Sequence, residues 1–252
     1  MEIRVETRDR HITIVTIANE PRRNAMTRAM MADLAALWDR LDGDPECRVV
    51  VLTGAGDKAF SSGADLGGDL SASPELARTV NRALLKNTPF AKPIVAAVNG
   101  DCVAGGVELL LSTDIRAASP EARFGLPEVK WSIYPFGGAT VKLAQQIGHV
   151  HAMDLLLTGR FVDAEFAARV GLVNQVIARD RLLPWAFETA ALIAANSPSA
   201  VQAVRTQISS SIADYARSRE ALDQELGDRV RSGPHFNEGV AAFLEKRKPD
   251  YS

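Results

Sequence analysis

Hydrophobic and polar positions follow two regular patterns along the first half of the chain. Apolar and polar residues alternate between residues 2 and 18, on either side of the polar residues 8–10, which predicts a β-hairpin. Short apolar runs that end at turn residues predict buried strands, and apolar residues at spacings of three and four predict helices. Strands that alternate with helices indicate an α/β protein. The predicted strands lie at 48–54 and 93–98, and the segments 114–119 and 122–128 are predicted to be short strands or extended turns. The predicted helices lie at 27–44, at 74–88 and in the second half of 99–114.

The chain becomes mostly helical after about residue 137. Between 198 and 231 the apolar residues recur at spacings of three and four, with breaks, which is typical of helices. We therefore expect an α/β core over residues 1–197 and a helical layer over 198–252, although no change in composition marks a linker between them. A chain of this length offers few places to bury the apolar stripe of that layer. The stripe consists of Val201, Val204, Ile208, Ile212, Tyr215, Leu222, Leu226 and Val230.

Composition and charge exclude several classes of protein. The 252 residues carry a net charge of -2, so no overall basic field favours nucleic acid or an anionic membrane surface. No apolar run approaches the roughly 20 residues of a membrane span, and the first ten residues lack an apolar signal core. The 2 cysteines and 4 histidines form no metal-ligand set, so we expect no metal. Two distant cysteines give no disulfide framework and suggest a reducing compartment, and we therefore expect a cytoplasmic protein.

The most unusual residue is Glu108, which stands between Val107 and three leucines in an otherwise apolar helix. An acid in the first turn of a helix gains roughly 0.3–1 kcal/mol from the helix dipole. That gain does not explain a carboxyl on a helix with no polar face, since burying a charge without a partner costs several kcal/mol and raises the pKa. From the residues alone, Glu108 is either a structural partner in an ion pair or a group that transfers protons.

Three further features gain meaning only together. Glu128 follows Pro127 and alone would be an ordinary turn acid. Gly63, in the segment 59–66, permits a tight backbone turn, and such loops are common. The run Ala104-Gly105-Gly106 joins a predicted strand to a predicted helix, so free backbone amides at a helix start could bind an anion or a developing oxyanion.

Other enzyme classes fit the sequence less well. Residues 54–59 match the G-x-G-x-x-A pattern of dinucleotide-binding folds, but the glycine- and serine-rich segment that follows is not a helix. Ser62 is not part of a G-x-S-x-G motif and has no evident histidine partner, which argues against a serine hydrolase. Cys102 could be a nucleophile, although a small buried cysteine is the simpler interpretation.

Together and in this order, six segments resemble the enoyl-CoA hydratase/isomerase family, also called the crotonase family. Each segment alone is unspecific, whereas the combination is specific and covers nearly the whole chain. The matching segments are 22–26, 59–66, 92–119, 124–143, 155–177 and 239–251.

The resemblance implies a fold, a ligand and a reaction. Members of the family are spirals of ββα units whose C-terminal helices build trimers, often paired into hexamers. They bind acyl-CoA thioesters, so coenzyme A is part of the substrate and no separate cofactor is expected. The resemblance places the two amides that hold the thioester oxygen at Ala64 and Gly105. It also implies the two glutamates of a hydratase, Glu108 as base toward water and Glu128 as acid, with their roles open to exchange.

The resemblance also suggests which residues surround the substrate. Arg22 or Arg23 would lie near the CoA phosphates, and Phe243 and Lys246 could reach the CoA of a neighbouring subunit. Aromatic residues just after Glu128 are expected to line the acyl end of the pocket, unless they are simply core residues. The expected substrate-binding residues are Arg22, Arg23, Ser62, Asp65, Trp131, Tyr134, Phe136, Phe243 and Lys246.

The sequence departs from the family pattern near the second glutamate. Pro135 is followed by Phe136 where many hydratases have glycine, and Ala139 replaces a further glycine. The bulk at Phe136 leaves a specialised substrate open. The first hypothesis is hydration of a 2-enoyl-CoA, with isomerisation or another lyase reaction as the alternative. The second is a module that binds acyl-CoA, a protein partner or RNA without catalysis. RNA binding would require a basic, aromatic-rich face that the sequence lacks.

Overall fold

The computed structural model describes residues 1–9, 11–65 and 73–252. Its strands are β1 (Glu2–Asp9), β2 (Ile12–Ala18), β3 (Val49–Gly54), β4 (Ala59–Ser61), β5 (Ile94–Val98), β6 (Asp101–Val103), β7 (Ile115–Ala118), β8 (Arg123–Gly125), β9 (Phe161–Asp163) and β10 (Gln175–Val176). Its helices are α1 (Arg28–Gly43), α2 (Pro74–Ala83), α3 (Gly105–Leu110), α4 (Ala139–Ile147), α5 (His149–Thr158), α6 (Ala164–Arg169), α7 (Arg179–Ala194), α8 (Pro198–Arg231) and α9 (Phe236–Glu245). Short 3-10 helices span Glu20–Arg22 and Pro127–Trp131.

The strands form two sheets, and from β3 to β8 successive strands alternate between them. The larger sheet has the order β1-β2-β3-β5-β7-β10, with the β1–β2 hairpin antiparallel and the other neighbours parallel. The smaller sheet has the order β4-β6-β8-β9, and only its edge strand β9 is antiparallel. Each of the pairs β3–β4, β5–β6 and β7–β8 gives its first strand to the larger sheet and its second to the smaller one, with a helix after each pair. The fold is therefore the predicted α/β spiral of ββα units.

This winding brings three strand ends to one edge. Since β4, β6 and β8 are parallel neighbours, their carboxyl ends lie side by side, and ligands bind at such edges in α/β proteins. Ala64 follows β4 by three residues, Gly105 follows β6 by two and Glu128 follows β8 by three. Segments that are far apart in sequence thus meet at one place because of the spiral.

The core lies between the sheets and the helices that cover them. The strands β3 and β5 are buried along their whole length, as their continuous apolar runs predict. Helix α1 begins at Thr27, whose side chain accepts a hydrogen bond from the Met30 amide, and its apolar face places Trp38 in the core. The hairpin, the strands at 48–54 and 93–98, and the helix at 27–44 are confirmed in type, with small shifts at their ends. Of the two alternatives for 114–119 and 122–128, the structure shows short strands, β7 and β8.

Three predictions about elements need correction. Helix α2 ends at Ala83 rather than at residue 88, because Leu85 adopts a left-handed backbone conformation (φ 52°) and turns Lys86 inward. The glycine- and serine-rich segment 54–73, for which the sequence indicates a loop rather than a strand or helix, contains strand β4, and its residues 66–72 lie outside the described part of the chain. The mainly helical second half also contains the short strands β9 and β10.

The C-terminal layer is built differently from the predicted pattern. Helix α8 is one helix of 34 residues without a break. Its buried face uses small and polar residues as well as apolar ones, so an apolar pattern alone shows gaps where the helix continues. These buried residues are Arg205, Ala213, Ala216, Asp223 and Gly227. The predicted division of the chain at residue 198 coincides with the start of α8 and otherwise stays a prediction. Within the described residues, no helix is both long enough and apolar enough to cross a membrane.

Candidate active site

Two backbone amides approach each other where β4 and β6 end. Gly63 has a φ of 88°, and a Cβ on it would lie 2.8 Å from the Gly105 nitrogen. A Cβ on Gly105 would in turn lie 3.5 Å from the Ala64 nitrogen. The close approach explains why glycine occupies position 63, since a side chain there would displace the start of α3.

Within the described part of the chain, neither the Ala64 amide nor the Gly105 amide has a hydrogen-bond partner. The parallel bridge between Met26 and Ala64 uses the Gly63 carbonyl and the Asp65 amide, at 2.8 and 3.0 Å, and does not use the Ala64 amide. Gly105 is the first residue of α3, and the first amides of a helix have no acceptor within the helix. Two free amides at this point can bind an oxyanion.

The residue before Gly105 holds an unusual backbone conformation. Ala104 has φ 51° and ψ −122°, which is rare for a residue with a side chain. Its amide donates to the Gly125 carbonyl at 2.9 Å, and its carbonyl accepts from the Glu108 amide at 3.1 Å. Strained residues persist where the surroundings hold them, often at functional sites, and here the strain directs the Gly105 amide.

Glu108 projects from the first turn of α3 and is buried, with 4% of its surface exposed. Its Oε1 accepts a hydrogen bond from the Ala139 amide at 3.2 Å. A Cβ on Gly137 would lie 2.3 Å from Oε2, so this glycine makes room for the carboxyl. Burial raises the pKa of Glu108 to about 7, against the opposing effects of the Ala139 amide and the charge of Lys86. The carboxyl is therefore poised between its two protonation states near neutral pH.

Glu128 lies in the 3-10 helix that follows β8 and is also buried. Its Oε2 has no hydrogen-bond partner among the described residues. Burial, and then the charge of Glu108, raise the pKa of Glu128 to about 8. The mutual influence of the two carboxyls means that they titrate as a pair rather than independently. The carboxyls predicted to act together are thus brought together by the fold.

A third buried acid, which the sequence analysis did not identify, lies beside this pair. Asp223 of α8 accepts hydrogen bonds from Tyr134 Oη at 2.7 Å and Thr140 Oγ1 at 3.0 Å on one oxygen, and from Lys86 Nζ at 2.6 Å on the other. The spacing of Ala216, Asp223 and Gly227 along α8 places them on one helix face. This spacing of small residues around Asp223 is the sequence pattern from which a buried aspartate could have been predicted.

The residues expected near CoA lie on either side of the Ala64 amide. Arg22 donates to both carboxylate oxygens of Asp65 at 2.7 Å, and Ser62 Oγ donates to the Arg22 carbonyl at 3.1 Å. Arg23 pairs with Asp101 at 3.0 Å. Both arginine side chains are about half exposed, so their guanidinium groups remain accessible at the edge of the site.

The aromatic residues after Glu128 join the site to the C-terminal helices. Trp131 meets Phe243 of α9 edge to face, with ring centroids 5.3 Å apart. The Phe136 ring fills the space over Gly227 of α8, where a Cβ would lie 2.1 Å from it. Lys246, the residue after α9, is exposed. In this single chain Phe243 contacts its own Trp131, and its reach to a neighbouring subunit stays a prediction.

The structure also bears on the rejected alternatives. The glycine turn after β3 leads into strand β4, not into the helix that a dinucleotide-binding motif requires. Cys102 is fully buried, and burial raises the pKa of its thiol, which makes it a poor nucleophile. Across residues 1–9, 11–65 and 73–252, no three histidine, cysteine, aspartate or glutamate side chains form a group that could hold a metal ion.

The spiral of ββα units with a C-terminal helical region is the fold of the crotonase class. A family model described as enoyl-CoA hydratase/isomerase matches residues 7–252. The chain belongs to this family, whose members act on acyl-CoA thioesters.

Individual relatives agree with this assignment. The chain is 40% identical to an enoyl-CoA hydratase of Mycobacterium tuberculosis over 248 residues, which cover 96% of this chain and 93% of the relative. It is 36% identical to a mevalonyl-coenzyme A hydratase of Aspergillus fumigatus over 253 residues, which cover 96% and 91%. A crystal structure of an enoyl-CoA hydratase/isomerase from Pseudoalteromonas atlantica superposes with a TM-score of 0.89 at 29% identity and covers 99% of both chains. These relatives support a hydratase-type enzyme.

Proposed function

We propose that the protein adds water across the double bond of a 2-enoyl-CoA thioester. The observation that carries this proposal is the pair of buried carboxyls with raised pKa values, next to two backbone amides that are free to bind an oxyanion. The named hydratases among the relatives support the same reaction.

The thioester oxygen would lie between the Ala64 and Gly105 amides. Attack of water on C3 pushes the electrons of the double bond onto that oxygen and forms an enolate. Removing one donor of such a site typically costs about 2.7–4 kcal/mol in the transition state. The strained Ala104 and the glycine at position 63 serve this role because they keep the two amides aimed at one point before the substrate arrives.

Glu108 would take the proton from water, and Glu128 would donate one to C2. The Ala139 amide stabilises the charged form of Glu108, whereas the buried, unpartnered oxygen of Glu128 favours the protonated form. One ionised and one protonated carboxyl is the state that addition of water requires. When the enolate collapses, C2 receives the proton from Glu128, and the elements of water have been added.

Substitution of the glutamates tests this assignment. Glu108→Gln and Glu128→Gln keep size and hydrogen bonding but remove acid–base function, so each should lower kcat at least about 100-fold. The double variant should lose less than the product of the single effects, because both groups act on one step. Hydration of crotonyl-CoA is followed as the loss of ultraviolet absorbance of the conjugated thioester, and acyl-CoA binding should survive.

Different results would lead to other functions. Near-normal hydration by either single variant would end the assignment of the pair. A silent Glu128→Gln alone would indicate an isomerase that works with one glutamate. Binding of enoyl-CoA by the wild type without turnover would favour a module that is not an enzyme.

We also propose that the protein forms a trimer or a dimer of trimers through its C-terminal layer. Side chains of the apolar stripe on α8 remain exposed on the single chain, with Val204 at 63% and Ile208 at 62%. They border a cavity of about 910 Å³ between α8 and the core. A second copy of the chain would cover this surface. Light scattering should give the mass of a trimer or hexamer, and a stable monomer of 27.1 kDa at micromolar concentration would exclude it.

A further inference from the structure

A buried polar cluster lies beside the proposed reaction centre, and the proposed mechanism does not use it. We call it the Asp223 cluster; it consists of Asp223, Lys86, Tyr134 and Thr140. Only 3% of Asp223 is exposed, and its two carboxylate oxygens together accept three hydrogen bonds, from Lys86 and from the two hydroxyls.

The segment 134–140 connects the cluster to Glu108. Its two ends, Tyr134 and Thr140, contact Asp223, while the Ala139 amide between them donates to Glu108. Asp223 and Lys86 are buried, whereas Tyr134 and Thr140 are only partly buried. Tyr134 and Thr140, which lie on either side of the amide that holds Glu108, are therefore the more accessible part of the cluster.

The hydrogens and charges of the Asp223 cluster determine which chemical groups it can bind. A hydroxyl has one hydrogen, and Tyr134 and Thr140 both donate theirs to Asp223. Their oxygens keep lone pairs and can only accept. The Lys86 ammonium lies between Asp223 and the Glu220 carboxylate, whose Oε2 is 3.2 Å from Nζ, so two carboxylates face one cation. The cluster therefore presents acceptors and negative charge.

We propose that the acyl group of the physiological substrate carries a hydrogen-bond donor, in the simplest case a hydroxyl, a few atoms beyond the double bond. Tyr134 Oη and Thr140 Oγ1 accept a hydrogen bond from it. A carboxylate at the same position is disfavoured, because it has no hydrogen to donate and would meet like charge. This inference rests on the proposed hydration of enoyl-CoA and names the substrate class of that same site.

A panel of four thioesters tests it on the wild-type protein. Crotonyl-CoA reports the basic reaction, and 5-hydroxypent-2-enoyl-CoA carries the hydroxyl. Hex-2-enoyl-CoA replaces that hydroxyl by a methyl group of similar size, and pent-2-enedioyl-CoA presents a carboxylate. We expect kcat/KM for the hydroxyl substrate to exceed that for the methyl analogue about tenfold, as one well-formed hydrogen bond provides. The carboxylate substrate should have a lower kcat/KM than either the hydroxyl substrate or the methyl analogue.

Substitutions then locate the preference. Tyr134→Phe and Thr140→Val each remove one acceptor, and each should reduce the ratio of kcat/KM between the hydroxyl and methyl substrates. The ratio is compared within each variant, so a general loss of activity does not affect it. Thr7→Val, at an exposed position on β1, is the matched control for Thr140→Val and should leave the ratio unchanged.

The outcomes separate this inference from the proposed function. If crotonyl-CoA is hydrated but the methyl analogue is used as well as the hydroxyl substrate, the inference is overturned and the hydratase assignment stands. A hydroxyl preference that persists in both Tyr134→Phe and Thr140→Val also overturns it. If none of the four thioesters is hydrated, the proposed function fails, and the inference fails with it.

Discussion

Gly63→Ala is a direct test of how the backbone shapes the site. The new Cβ would lie 2.8 Å from the Gly105 nitrogen and 3.0 Å from the Ala104 Cβ, distances at which something must move. The residue would also hold a φ of 88°, which costs an alanine about 1–2 kcal/mol in the left-handed region. Both effects act on the turn that aims the Gly105 amide.

The expected loss of activity is larger than the expected loss of stability. If the Gly105 amide is displaced, one oxyanion donor is lost, which corresponds to about 100- to 1000-fold in kcat. The free energy of unfolding should fall by about 1–3 kcal/mol from backbone strain and overpacking. Hydration of crotonyl-CoA measures the first quantity, and urea denaturation measures the second.

Two matched glycine substitutions separate the causes. Gly148 has a φ of 80° with nothing within 4 Å of a new Cβ, so Gly148→Ala introduces backbone strain without a clash. Gly43, at the end of α1, has open space and no positive φ, so Gly43→Ala controls for the substitution itself. Both controls should keep full activity. If Gly63→Ala lost stability like Gly148→Ala and remained fully active, the Gly105 amide would not act on the substrate.

Three further measurements probe the same site. In Glu108→Gln the pKa of Glu128 should fall from about 8, because the neighbouring negative charge disappears while the burial remains. The pKa is measured by ¹³C NMR of the Glu128 carboxyl. An unchanged pKa would mean that the two carboxyls do not interact. In the folded protein the pKa values of Glu108 and Glu128 both lie above the ordinary 4.5. The stability that the pair contributes is therefore present below about pH 4.5 and is lost as the pH rises through about 7 and 8. Replacing both glutamates by glutamine should flatten this part of the plot of unfolding free energy against pH. Phe136→Ala should lower the Tm, because the ring packs over Gly227, and should shift chain-length preference toward longer acyl groups; a lowered Tm with unchanged preference would place the ring outside the pocket.

The local elements could be predicted because their signals lie in adjacent residues. The continuous apolar run of β3 indicates a strand buried on both faces, and the alternation around the first hairpin indicates paired strands. Thr27 marks the start of α1 in the same local way. Strand β4, in contrast, has three residues within a segment rich in glycine and serine, and it forms because β6 pairs with it. Pairing with a distant strand leaves no local pattern to read.

The candidate site also combines features with a local sequence signal and features that depend on distant segments. Glu108 could be suspected from the sequence because a carboxyl between leucines conflicts with its surroundings. Glu128 has no such conflict, and only the resemblance to a family drew attention to it. The electrostatic coupling of the two carboxyls arises from the spiral, which places the ends of β6 and β8 side by side. Neither residue alone predicts a raised pKa in the other.

Asp223 shows why the C-terminal layer belongs to the site. It is separated from Lys86 by 137 residues and from Tyr134 by 89, and it meets both only because α8 packs against α4 and the segment before it. Breaking a buried charged pair by removing one partner typically costs about 3–5 kcal/mol, since the other charge is left uncompensated. The pairing of Asp223 with Lys86 therefore fixes where α8 lies relative to Glu108. The apolar stripe of the same helix faces the surface on which a second copy would pack. If both proposals hold, assembly and substrate recognition would use adjacent faces of one helix. A change of subunit packing that shifts α8 would then also move the hydroxyls of Tyr134 and Thr140.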